Sequence, residues 1–98
     1  MVLSVEGELD LGTVDVLRAA LHADEARAAR VVLDLRKLAF IDSSGLSLLV
    51  SEQHRAQDHG FELAVAVGGA HAVQRLFELT GLSGTLNLVE SPETVLES

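Results

Sequence analysis

Asp42, Ser43 and Ser44 set a carboxylate and two hydroxyls on consecutive residues, directly ahead of Gly45 and an apolar helical pattern. Groups in that place have two chemistries open to them. They can accept hydrogen bonds from the unpaired N–H groups of a helix start, as serine and aspartate caps do. A hydroxyl there can also carry a phosphate, because a helix start bears partial positive charge that favours an anion. Residue types alone leave both readings open for Ser43 and Ser44: helix cap or modified serine.

Other chemistries fit less well. An esterase nucleophile needs a base and usually a Gly-x-Ser-x-Gly frame, which Ser43 lacks. Of the four histidines, His54 and His59 are five apart and fall on different faces of a helix, and only His71 follows a strand. No catalytic residue is therefore assigned. No His-x-x-x-His or close His and carboxylate cluster stands at ligand spacing, so no metal site is assigned either. Gly68-Gly69 before a helix could form an anion nest, yet no Walker lysine or Gly-x-Gly-x-x-Gly accompanies the pair, and a tight turn explains it. No cofactor is expected. Asp34, inside an apolar strand, has a buried ionic role open to it but is read first as solvent-facing or as a cap, and Arg36 and Lys37 are read as the start of a loop.

Composition narrows the partners. The 98 residues make one small domain over residues 1–98, and with 48% hydrophobic residues the chain is no disordered tail. Three phenylalanines are its only aromatics, so the core must be Leu, Val and Ala, which suits helices on an apolar sheet. A net charge of −8 with seven Lys and Arg argues against nucleic acid and against an anionic membrane surface. Cysteine is absent, which removes disulfide and thiolate chemistry. The first residues lack the basic region of a signal peptide, and no apolar run reaches the ~18 residues that span a bilayer. The expected address is the cytoplasm.

The elements that must position the serines follow from periodicity. Residues 2–9 read as a strand, Thr13 as the cap of a helix carrying Val14, Leu17 and Leu21, and 31–35 as the clearest strand. Residues 36–42 are read as a loop, 44–59 as the longest helix ending at Gly60, and 61–67 as a strand. Val73, Leu76 and Phe77 mark a helix closing at Gly81, 85–89 a further strand, and Ser91-Pro92 the start of a last helix. The segment 22–30 finishes the first helix or loops back. The βαβαβαβα order predicts an α/β domain with a mostly parallel sheet of four to five strands and helices packed mainly on one face. The carboxyl edge of such a sheet is where sites are usually built, and Asp10, Asp42 and Ser43 meet there if the first two strands are adjacent.

The run 32–46, Val-Leu-Asp-Leu-Arg-Lys-Leu-Ala-Phe-Ile-Asp-Ser-Ser-Gly-Leu, resembles the signature of the STAS family, the domain named for sulphate transporters and anti-sigma factor antagonists. Gly7-Glu8-Leu9-Asp10 resembles that family's second motif, and residues 73–82 its third. The resemblance implies a standalone bacterial anti-sigma factor antagonist. In its unmodified form such a protein binds an anti-sigma factor that is also a serine kinase, and so frees the sigma factor. Phosphorylation by that kinase ends or weakens the binding.

Carried over by position, the resemblance implies Ser43 as the phosphoacceptor, with Ser44 the lesser candidate and a plausible cap. It also implies partner contacts at Asp10, Asp42, Ser43, Ser44, Gly45, Leu46, Ser47 and Val50. The implied partners are the anti-sigma factor/serine kinase, a Ser/Thr phosphatase, and a second copy of the chain in a weak homodimer. Members usually carry a further strand before Gly-Glu-Leu-Asp, whereas this chain begins almost directly on that strand, so two readings are open: the edge strand is missing, leaving an unpaired edge that could join a second copy, or the start is misassigned or trimmed. The alternatives are a non-switching STAS scaffold or ligand-binding module, with Ser43 only a cap, and an enzyme that hydrolyses a generic ester.

Overall fold

The computed structural model describes residues 2–23 and 30–93. Among them, strands and helices follow in the order β1 (Val2–Ser4), β2 (Gly7–Leu9), α1 (Val14–Ala23), β3 (Arg30–Asp34), β4 (Leu38–Ile41), α2 (Ser43–His59), β5 (Glu62–Ala66), α3 (His71–Thr80) and β6 (Leu88–Val89). A short 3-10 turn, Leu82–Gly84, precedes β6. β1, β3, β5 and β6 lie side by side in that order, every pair parallel. β3 and β5 are thus interior strands, and their successive residues 31–33 and 63–66 are all buried, which is why they read as unbroken apolar runs rather than as alternating patterns.

Val31, Leu33 and Leu35 share one sheet face with Leu63, Val65 and Val67. Leu17 and Leu21 of α1, Leu48 and Leu49 of α2, and Val73 and Phe77 of α3 join them in a single core cluster. All three helices therefore pack on that face, as expected. Each fully buried side chain of this kind is worth roughly 1.5–3 kcal/mol over leaving it exposed. Gly60 and Gly81 end α2 and α3 in the left-handed conformation, at φ 74° and 76°.

Three expectations change. Residues 2–9 are two strands, because at Gly7, with φ +78°, the backbone leaves the main sheet. From there β2 pairs in parallel with β4, Gly7 opposite Leu38 and Leu9 opposite Ile41, so residues 38–41 are a strand and not a loop. Only Leu38 and Ile41 of β4 are buried, a pattern without the alternation that betrays a strand. The strand expected over 85–89 shrinks to Leu88–Val89, since the amides of Thr85 and Leu86 donate to the Leu82 carbonyl (3.0 and 2.9 Å) and continue the turn. Pro92 and Glu93 are helical, while residues 94–98 and 24–29 lie outside the described residues.

Candidate functional site

The ends of β2 and β4 form a platform on which α2 starts. The Asp42 amide donates to the Leu9 carbonyl at 3.2 Å, carrying the ladder one residue past β4. Gly45 is pressed against this platform. A Cβ there would stand 2.7 Å from Ile41 Cγ1 and 2.8 Å from the Leu9 carbonyl oxygen, so only glycine lets the helix start so close.

Asp42 is the cap of α2. Its backbone is extended (φ −106°, ψ −173°), and its Oδ1 accepts from the amides of Ser44 at 2.9 Å and Gly45 at 3.1 Å. The expectation that a serine does this is corrected, for a physical reason. The residue before the first helical turn alone has the extended backbone that swings its side chain back onto those amides, and that residue is the aspartate. Ser43 falls on the first helical position, exposed, and makes no side-chain hydrogen bond among the described residues. Ser44 is half-buried.

The loop after β2 reaches the same carboxylate. The Leu11 amide donates to Asp42 Oδ2 at 3.4 Å, which places Asp10 one residue from the cap. Asp10 holds its own turn: its Oδ1 accepts from the Gly12 amide at 3.0 Å, and its carbonyl accepts from the amides of Thr13 and Val14 at 3.0 and 2.9 Å. Thr13 precedes α1 as expected, but its hydroxyl accepts from the Asp10 amide at 2.9 Å and so ties back into the turn. Asp10, Asp42 and Ser43 are thus gathered at one edge, through the β2–β4 pairing that the sequence did not reveal.

Past Ser43, the outward face of α2 borders an open groove of about 570 Å³ lined by Leu46, Ser47, Val50, Ser51, His54 and Leu82. Leu46 and Val50 are half-buried and Ser47 exposed, whereas Gly45 lies beneath the helix, facing β2 and β4. His54 follows Val50 by one helical turn and was legible by spacing. Leu82 belongs to the turn after α3, and no local spacing links it to α2. The segments that form this edge, residues 7–17 and 38–53, contain no Lys or Arg.

Two other ionic groups support the frame. Asp34 is clamped by Arg36, Nε to Oδ1 at 2.9 Å and an Nη to Oδ2 at 2.8 Å, so these residues form an ion pair at the end of β3. The guanidinium's hydrogen bonds hold the Asp34 carboxyl below the usual carboxylate range. A lowered folded-state pKa means the stabilisation is complete above the unfolded value of about 3.9 and is lost as pH falls through the lower folded one. Arg36→Gln is expected to remove that part of the acid limb in melting temperature measured down to about pH 2, and an unchanged limb refutes the assignment. The second group is Glu52, only 3% exposed, which receives Arg55 at 2.7 Å and faces His22 Nε2 at 2.9 Å, bridging α2 to α1.

Among the described residues no three His, Asp or Glu side chains gather as a metal site, and no helix is long and apolar enough to cross a membrane.

With the strand order, the capped serine and the groove established, the decisive comparison is with known families: the model of the STAS domain matches residues 1–95. The chain belongs to the STAS domain family. This STAS domain is 35% identical over 86 residues to the anti-sigma F factor antagonist of Paenibacillus polymyxa, covering 84% of the chain and 71% of that protein. It is 32% identical over 92 residues to the anti-sigma-B factor antagonist of Staphylococcus aureus, covering 93% and 84%. The crystal structure of an anti-sigma factor antagonist from Mycobacterium paratuberculosis superposes on the STAS domain with a TM-score of 0.83 at 31% identity, covering 98% of this chain and 81% of the other.

Proposed function

We propose that this STAS domain is a cytoplasmic anti-sigma factor antagonist whose unmodified form binds an anti-sigma factor with serine kinase activity, and that phosphorylation of Ser43 switches it off. The observation that carries the reading is the division of labour at the start of α2. Asp42 does the capping, so Ser43 is an exposed hydroxyl with no structural task. Relatives similar over most of the chain carry the name anti-sigma factor antagonist, which supports the same class of partner here.

The geometry also favours a switch by charge. The Asp42 carboxylate already occupies the amides of Ser44 and Gly45, so a phosphate on Ser43 finds them taken. It would add about −1.5 to −2 charges beside Asp42 and near Asp10. A partner docked on Asp10, Asp42 and the α2 face at Leu46, Ser47 and Val50 would lose affinity by repulsion and desolvation, with the domain still folded. A Ser/Thr phosphatase would restore the binding form. No histidine hydrogen-bonds Ser43 or Ser44 among the described residues, so a regulator fits this site better than an esterase.

Intact mass and peptide mapping of the protein from its host, with and without phosphatase, should find one removable phosphate on the peptide spanning Ser43. In calorimetric titration against the host's purified anti-sigma factors, Ser43→Asp should bind roughly tenfold or more weakly than wild type, about 1.4 kcal/mol. Ser43→Ala should bind as wild type does and persist when ATP is added. Equal affinity of wild type and Ser43→Asp would end the switch reading.

A further inference from the structure

We infer that Leu11 is an apolar anchor for the anti-sigma partner, inserted into a pocket whose apolar floor is rimmed by basic groups. The inference rests on the proposed docking at Ser43 and adds to it a residue outside that contact set. A lone exposed leucine is ordinary on a protein surface. Leu11 differs in how it is held and in what surrounds it.

Leu11 is 76% exposed, although it sits in a turn cross-linked from several sides. Asp10 accepts from Gly12, Thr13 and Val14, the Thr13 hydroxyl accepts from the Asp10 amide, and that hydroxyl also reaches the Glu8 carbonyl at 3.1 Å. The Leu11 amide is in turn bonded to the cap carboxylate of Asp42, so the turn and the start of α2 are joined next to the acceptor. Because the turn is already ordered, presenting an apolar side chain from it adds little backbone ordering cost on binding.

The charge around it specifies the partner. Glu8, Asp10 and Asp42 stand in or bonded to the same turn, and neither residues 7–17 nor residues 38–53 contain Lys or Arg. The complement is an apolar pocket with a basic rim. A phosphate on Ser43 would then be added at the edge of the same contact.

The test titrates the host's purified anti-sigma factors onto wild type, Leu11→Ala and Ser43→Asp, with melting temperature measured alongside. Because Leu11 contributes only its backbone amide to the turn, Leu11→Ala should melt within a degree or two of wild type while binding the cognate factor about tenfold or more weakly. Binding of Leu11→Ala within twofold of wild type, with Ser43→Asp still weakened, overturns the anchor and leaves the switch standing. Failure of every host anti-sigma factor to bind wild type overturns both.

Discussion

Arg55→Ala should lower the unfolding free energy by about 3–5 kcal/mol, a large share of the 5–15 kcal/mol that holds a typical domain together. Glu52 is 3% exposed on the core side of α2, and Arg55 answers its charge through Nε at 2.8 Å and an Nη at 2.7 Å. Removing the guanidinium strands a buried carboxylate with His22 as its remaining partner, and also removes the cation that lies 5.4 Å over the Phe61 ring. At about 4–8 °C per kcal/mol for a domain of this size, the melting temperature should fall by more than about 12 °C. The double change Arg55→Met with Glu52→Leu should recover most of the loss, since replacing both partners by apolar groups of similar size leaves no charge buried. A single-variant loss under about 1 kcal/mol in urea unfolding would show that the pair is solvated and the burial argument wrong.

Gly45→Val should destabilise the domain by about 3 kcal/mol, at the upper end of the overpacking range, and should also disturb the switch. The first added atom already meets Ile41 Cγ1 at 2.7 Å and the Leu9 carbonyl at 2.8 Å, and the second of these is backbone held in the β2–β4 ladder. The helix start must therefore lift, and with it the Asp42 cap and the Leu11 contact. Gly45→Ala makes a smaller overlap and regains up to about 1 kcal/mol of helix propensity, so it should cost less than the valine. Hydrogen exchange is the discriminating readout: the amides of Ser44, Gly45 and Leu11 should exchange faster in the valine variant before the core amides of β3 and β5 do. Unchanged protection at those three amides would show that α2 does not rest on Gly45.

The amino-acid sequence by itself determined the alternation of strands and helices, the extent of α2 from its serines to Gly60, the glycine-capped end of α3 and the acidic serine motif at the sheet's carboxyl edge. These depend on local rules. Hydrophobic period, cap preference and the left-handed freedom of Gly60 and Gly81 act within one or two turns and can be read residue by residue. Only the tertiary structure decided which group caps α2, that residues 2–9 split at Gly7, and that residues 38–41 pair as β4. It alone placed Leu82 across from Leu46 and Val50, and joined His22 to Glu52 across thirty residues of sequence. Each of these depends on a partner distant in the chain, and a short segment such as 38–41 gains its hydrogen bonds and burial only once β2 has swung beside it. The same holds at the site, where Asp42 and Ser43 are neighbours by sequence, and Leu11 joins them only because the fold brings its amide to the cap.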